Sequence, residues 1–273
     1  MNRRKACLLI AASPAVAAAA VSEQDNRPWI GPEYWANPLQ DWRLSSGRIE
    51  CFVSGGDRNV FLLTHEVTDQ PGNLSMRVRL GRLEDDRAPL ENGFAGFRAG
   101  IHGRFNDYRD SAVYGIGLNA GLASDGRLFI GKLEANAPRV SEPLQNLELA
   151  FEATSTGSIR LAALNAAGKV LAETTRDGVP PEWLTGGVAL VCSSGPVEDS
   201  PDESAIAVTM SGLNKRGTER GGNLRFWFRN WTVSGSRVRV HEERAWGPIL
   251  FAMHTVSHGV MKLTTQMAPV APS

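Results

Sequence analysis

The chain has 273 residues, 42% of them hydrophobic, enough apolar material for one large core or two modest ones. Its 29 basic and 29 acidic side chains cancel to zero formal charge, and no long block of one sign occurs. That balance argues against nucleic acid or another polyanion as partner.

The N-terminus has the organisation of a signal peptide over residues 1–21. Arg3, Arg4 and Lys5 form a basic start, Ala6 to Val16 supply an apolar stretch, and Ala17 to Ala20 offer small residues for cleavage. An exported protein, periplasmic or extracellular, is expected. The arginine pair also admits the twin-arginine route, although Ala6 and Cys7 fit it poorly. The apolar stretch is Ala-rich and falls short of the ~20 strongly apolar residues of a spanning helix. No later segment has that character, so no membrane association is expected after cleavage.

Export leaves two cysteines, Cys51 and Cys192, in an oxidising compartment where thiols pair. A Cys51–Cys192 disulfide and two separately buried thiols are both compatible with their apolar, strand-like settings. Their wide separation does not match a zinc site.

From residue 22 to 245 the dominant period is two. Leu74, Met76, Val78 and Leu80 alternate with Ser75, Arg77 and Arg79; Leu147, Leu149 and Phe151 alternate with Glu148 and Ala150; Val188, Leu190 and Cys192 repeat the pattern. These segments predict half-buried strands. Turn pairs punctuate them, with Ser-Gly at 46–47, Pro-Gly at 71–72, Asp-Gly at 125–126, Ala-Gly at 167–168 and Asp-Gly at 177–178. Pro180 to Leu184 is the best short helical candidate. Phe226 to Val233 is apolar on both faces and predicts a central strand. The stretches 197–204 and 212–222 predict exposed loops. No repeat of 20–50 residues is visible. The fold class is therefore all-β, a two-sheet antiparallel β-sandwich with one shared core. Residues 246–273 predict a terminal strand and linker.

Candidate sites are few. Asn106, Asp107 and Asp110 could present oxygen ligands to Ca²⁺, as could Asp199, Asp202 and Glu203. The competing role for Asn106 to Asp110 is turn capping with an Arg109–Asp pair. His254 and His258 are four apart, a spacing that on a strand sets them roughly 13 Å apart, too far for one metal. His65, His102 and His241 are isolated. Glu148 and Glu152 share a strand face but lack the pattern of a sandwich glycosidase. Seven tryptophans invite glycan stacking. Trp42, Trp227 and Trp231 sit in strand patterns and are expected in the core, whereas Trp29 and Trp35 lie in a Pro/Gly-rich lead-in and are the ligand-binding candidates.

Several strings resemble a known family. Residues 30–67, IGPEYWANPLQDWRLSSGRIECFVSGGDRNVFLLTHEV, are similar to a laminin-G or concanavalin-like opening. Residues 93–131, GFAGFRAGIHGRFNDYRDSAVYGIGLNAGLASDGRLFIG, resemble the middle of the β-sandwich at the N-terminus of PhoD-like alkaline phosphatases. Residues 223–238, NLRFWFRNWTVSGSRV, and 243–270, ERAWGPILFAMHTVSHGVMKLTTQMAPV, resemble the end of that module and its junction with the phosphatase domain. The resemblance implies a concanavalin or laminin-G-like jelly roll whose partner is a metallophosphatase domain in the same chain, with 246–273 leading towards it. No catalytic residue carries over: Asp-x-His, Asn-His-Asp/Glu and His-x-His are all absent, and Gly56-Asp57 lacks the family's second acid. The resulting expectation is an exported, non-catalytic accessory module, the truncated N-terminal part of such a phosphatase, with no required cofactor. A free-standing glycan-binding module is the alternative, and a sandwich-type glycoside hydrolase the third reading.

Overall fold

The computed structural model describes residues 26–83, 92–197 and 220–270. The expected signal segment and the acidic group Asp199, Asp202 and Glu203 lie outside the described residues, as does most of both expected loops. The strands are β1 (Tyr34–Asn37), β2 (Trp42–Ser45), β3 (Arg48–Cys51), β4 (Arg58–Leu62), β5 (His65–Val67), β6 (Leu74–Arg82), β7 (Phe94–His102), β8 (Ile116–Ala123) and β9 (Leu128–Ile130). They continue with β10 (Leu147–Ala153), β11 (Ile159–Leu164), β12 (Val170–Arg176), β13 (Gly187–Ser193), β14 (Phe226–Ser234), β15 (Val238–Val240), β16 (Ile249–Ser257) and β17 (Val260–Met267). One α-helix, α1 (Tyr108–Tyr114), follows β7.

Two antiparallel sheets form the sandwich. One has the order β12-β11-β10-β6-β14-β3-β2, the other β1-β4-β13-β7-β8-β9. Alternation builds the first of these: Leu74, Met76, Val78 and Leu80 of β6 point into the core, as do Leu147, Leu149 and Phe151 of β10. The opposite face is a solvated ladder of ion pairs. Arg77 bridges Glu148 at 3.0 Å and Glu152 at 3.4 Å, and Arg160 reaches Glu173 at 2.6 Å. Across the core, Phe97 of β7 meets Phe151 of β10 edge to face, ring centres 6.2 Å apart.

The second sheet departs from simple alternation. Every residue of β13 is buried, including Ala189 and Val191, which face away from the inner core. A second apolar layer covers them: Phe61, Leu63, Ile101 and Ala112 gather around Ala189, while Phe94 and Phe129 gather around Val191. β13 is thus a central strand covered on both sides rather than a half-buried one. β14 is central for its first three residues, Phe226 to Phe228, between β6 and β3. A bulge between Arg229 and Thr232, with Asn230 at φ 54°, then turns its second half outward.

Two helical features differ from expectation. The Pro180 segment forms a 3-10 turn at Pro181–Leu184. Helix α1 was not anticipated, because seven residues are too few to display a 3.6-residue period.

The terminal segment also differs: β16 and β17 form a two-stranded hairpin instead of one strand and a linker. Its turn, His258-Gly259, has both residues at positive φ, 51° and 75°, the geometry of a tight hairpin turn. Every residue of both strands is exposed, among them Phe251, Met253, Val256, Met261 and Leu263.

A buried ion pair ties the sheets together at one edge. Asp41, in the 3-10 turn Leu39–Asp41 before β2, is 0% exposed, and Arg58 of β4 is 1% exposed. Arg58 Nη2 lies 2.8 Å and Nε 3.1 Å from Asp41 Oδ2, and Arg220 reaches Oδ1 at 2.9 Å. Removing one member of such a pair strands a charge out of water. Asp41→Ala is therefore expected to lower unfolding free energy by about 3–5 kcal/mol, read as a shift of the urea midpoint.

Candidate functional site

β7 ends in a bulge that begins the site. Its register with β8 shifts between Ala99 and His102, and Gly100 sits at φ +66°, where a Cβ would collide with the Trp183 carbonyl. The bulge carries the chain away from the sheet, and a loop of residues 103–107 follows, leading into α1. That loop is held by its own polar groups. The Gly103 N–H donates to Ser111 Oγ at 3.2 Å, the Phe105 N–H to Asp110 Oδ2 at 3.1 Å, and the Arg109 N–H to Asp107 Oδ1 at 2.9 Å. The last of these is the N-cap of α1.

Loop and helix form one wall of a cleft of about 440 Å³ at the end of the six-stranded sheet. β5 supplies the facing wall through His65 and Glu66, and Arg244 closes the side. Phe105 is 61% exposed, with the Arg104 guanidinium 5.4 Å from its ring centre. The Tyr108 ring has two guanidiniums against it, Arg244 at 4.7 Å and Arg109 at 5.8 Å from its centre. Arg244 is fixed in turn by Glu66 at 2.7 Å, and Arg109 by Asp107 at 2.7 Å. His102 Nδ1 is 2.9 Å from the Gly100 carbonyl. A carbonyl only accepts, so Nδ1 holds the proton and Nε2 keeps its lone pair in the neutral ring.

Arg109 also sets the charge of Asp107. Its side-chain hydrogen bonds, followed by its backbone N–H, pull that carboxyl down to about 2. Burial acts the other way on His65, holding the imidazole below its ordinary value.

Asp107 and Asp110, two of the three calcium candidates, are thus taken by the helix cap, the loop backbone and Arg109, the competing role that their spacing suggested. Asn106 lines the cleft beside them. Among the described residues no group of three or more His, Cys, Asp and Glu side chains is placed to hold a metal. His254 lies on β16 and His258 in the hairpin turn, both exposed.

Both ligand-binding candidates pack on a third tryptophan. Trp29 is buried with its ring edge-on to Trp246, centres 6.0 Å apart, and Trp35 packs on the same Trp246 at 5.5 Å. Trp246 Nε1 donates to the Tyr34 carbonyl at 2.9 Å. The two candidates therefore clamp the segment that leads into the hairpin, and Trp29 offers no free face for stacking. Trp42 and Trp227 are buried and Trp231 is partly buried, as expected. Phe105, Tyr108 and Arg244 were missed as site residues. The signal for Phe105 was an aromatic residue inside an otherwise polar turn string.

A second depression, about 420 Å³, lies beside β9 and β12 and is lined by Lys132, Glu134, Thr174 and Thr175 among others. Its aromatic member, Phe129, is buried.

No family model and no curated protein sequence matches this chain. Solved structures do match in overall shape. The Lotus tetragonolobus seed lectin aligns with TM-score 0.44 and 10% identity over 74% of this chain and 92% of the lectin. The alginate lyase from Corynebacterium sp. aligns with TM-score 0.40 and 12% identity over 77% and 92%. The VIP36 exoplasmic/lumenal domain in its Ca²⁺/Man2-bound form gives 0.38 and 9% over 78% and 90%. The two-sheet antiparallel sandwich itself is read from the strand order of this chain.

The depressed His65 value fixes the sign of one pH effect. A group whose folded pKa lies below its unfolded one contributes in full above the unfolded value, ~6.5, and loses that contribution as pH falls towards the folded value. Stability is expected to decline over that window, and His65→Gln to flatten the decline, as measured by urea midpoints between about pH 7.5 and 5.5.

Proposed function

We propose that this chain is an exported, non-catalytic, carbohydrate-binding β-sandwich module, with the cleft between β5 and the β7–α1 loop as its sugar site. The export part of the proposal rests on the basic, apolar and small-residue order of residues 3–20. The binding part rests on one observation: the exposed Phe105 ring stands beside Tyr108 in a cleft whose other walls are guanidinium, imidazole and carboxylate groups. A sugar presents a flat array of C–H bonds edged by hydroxyls. An aromatic face takes the first, and fixed donors and acceptors take the second. The volume falls within the ~300–1,000 Å³ range of ligand pockets.

A glycosidase needs a carboxylic acid that keeps its proton near neutrality, and Asp107, held at about 2 by Arg109, does not supply it. Glu148 and Glu152 lie on the outer face of the other sheet, paired with Arg77.

On a panel of neutral and acidic polysaccharides, the chain is expected to bind at least one saturably. Phe105→Ala should weaken that binding at least ~10-fold while leaving the melting temperature unchanged, since an exposed aromatic anchor contributes affinity and little to the core. Binding to none of them, or affinity indifferent to Phe105, would overturn the reading.

A second reading is favoured by a different observation, the hairpin β16–β17. A lone two-stranded hairpin is marginal in water, and a cluster of exposed apolar side chains of this kind is typical of an interaction surface. It supports docking of the module on a partner domain through the hairpin; that the partner is a PhoD-like metallophosphatase domain rests on the resemblance of residues 223–238 and 243–270 alone. Mixed with such a domain produced separately, the chain should sediment as a one-to-one complex, and Met253→Lys with Leu263→Lys should abolish it. Sedimentation of the wild-type chain as a free species in that mixture would remove this second reading.

A further inference from the structure

β3 and β13 belong to different sheets, and each carries a cysteine at or near its C-terminal end, Cys51 last in β3 and Cys192 next to last in β13. Both side chains point into the inner core, where Cys51 is 0% and Cys192 1% exposed. There both are free thiols beside the same buried ion pair: Cys51 precedes Phe52, whose N–H donates to the Asp41 carbonyl at 3.1 Å, and Cys192 lies opposite Arg58, which bonds the Asp41 carboxylate. Their other polar neighbours are weak acceptors, the Val53 carbonyl 3.5 Å from Cys51 Sγ and the Leu224 carbonyl 3.7 Å from Cys192 Sγ. The surroundings hold them in place. Cys51 is in register with the fully buried Trp42, and Cys192 with Arg58 of the buried ion pair. Two inward-facing thiols on facing sheets, in one core and beside one ion pair, are placed to approach each other across that core.

We propose that Cys51 and Cys192 are joined by an inter-sheet disulfide in the exported protein, a covalent tie between the halves of the sandwich. Both S–H bonds break and one S–S bond forms, releasing two protons and two electrons. The electrons pass to the disulfide of a thiol–disulfide oxidoreductase, or of an oxidised small-molecule dithiol, which is reduced to two thiols. The route is exchange: one thiolate opens the oxidant's disulfide to a mixed disulfide, and the second cysteine displaces the reduced oxidant. Burial holds the Cys51 thiol well above its ordinary pKa, so the folded protein presents little thiolate. The bond therefore forms while the chain is folding in contact with the oxidant, and a chain folded under reducing conditions resists later oxidation. The loop it closes, about 140 residues, is long enough for a large restriction of the unfolded chain.

The test uses the full chain exported to an oxidising compartment and purified without reductant. After denaturation with an alkylating reagent, neither cysteine should be modified, and the intact mass should lie two hydrogen atoms below that of the reduced chain. A proteolytic digest should contain a peptide pair joining Cys51 to Cys192 that separates on reduction. Reduction should lower the melting temperature by about 10 °C in the wild type and leave it unchanged in Cys192→Ala. Quantitative alkylation of both thiols in the unreduced protein would overturn the proposal, and so would either cysteine bonded to a second copy of the chain. The mass and the digest are read on the wild-type protein, so they decide the matter even if Cys192→Ala fails to fold.

Discussion

The six-stranded sheet is apolar on both faces, and the shape of one end of the molecule follows from that. Its inner face, with Val60, Leu62, Phe97, Val188 and Leu190, is satisfied by the facing sheet. Its outer face has Phe61, Ile101 and Ala189 on one side and Phe94, Phe129 and Val191 on the other, and these need a cover of their own. At the Phe61 end that cover is α1, Trp35 and Trp246. A helix of seven residues has little stability in isolation, so packing of Ala112 and Tyr108 on the sheet supplies what its length cannot. The cleft exists because this cover stops short: loop 103–107 overhangs the sheet end, and β5 faces it.

Among the described residues, three buried charged groups are held by opposite charge. Asp41 and Arg58 are sealed together, Glu50 at 1% exposure takes both Arg43 and Arg48, and Arg98 on the covered outer face reaches Asp57 at 2.6 Å and Asn119 at 2.8 Å. The first and third of these link segments distant in sequence. Such pairs add modest net stability, because desolvation offsets most of the Coulomb gain, but they make misregistered packing costly by leaving a charge alone. A flat apolar interface between sheets tolerates sliding. An arginine that fits one carboxylate does not.

Legibility in the sequence followed solvent. β6 and β10 are wet on one face, so Leu74 to Leu80 and Leu147 to Phe151 alternate and their inward residues were readable, although Ala150 on the outer face of β10 is buried as well. β13 is dry on both faces, and its alternation of Val188, Leu190 and Cys192 concealed that Ala189 and Val191 are equally buried. The hairpin had a readable signal in Ser257-His258-Gly259 and in β17, where Met261, Leu263 and Met267 alternate with Lys262, Thr264 and Gln266; it was masked because β16 carries apolar residues on both faces and shows no period. The burial of Trp29 was hidden for a different reason. Its lead-in is Pro/Gly-rich, as exposed segments are, and only the return of the chain at Trp246 buries it. The cleft was least legible of all, since Glu66, Phe105 and Arg244 are brought together by topology and share no local pattern.

Zero net charge over the chain also obscured the cleft, and the way it does so bears on what the site suits. Arg109 is paired with Asp107 and Arg244 with Glu66, so two of the three cleft arginines have their field cancelled within a few ångströms. Long-range attraction for a polyanion depends on field and is weak here. Hydrogen bonding depends on directed N–H groups, and a guanidinium carries five, more than one carboxylate can occupy. Pairing also fixes those groups in place, so that donors stand ready without an ordering penalty when a ligand arrives. With Phe105 exposed beside them, the arrangement combines strong local donors, a small net field and an apolar face. That combination suits a ligand that is polyhydroxylated and uncharged or only weakly charged, and it is the physical basis for preferring a sugar over a nucleotide or phosphate at this site.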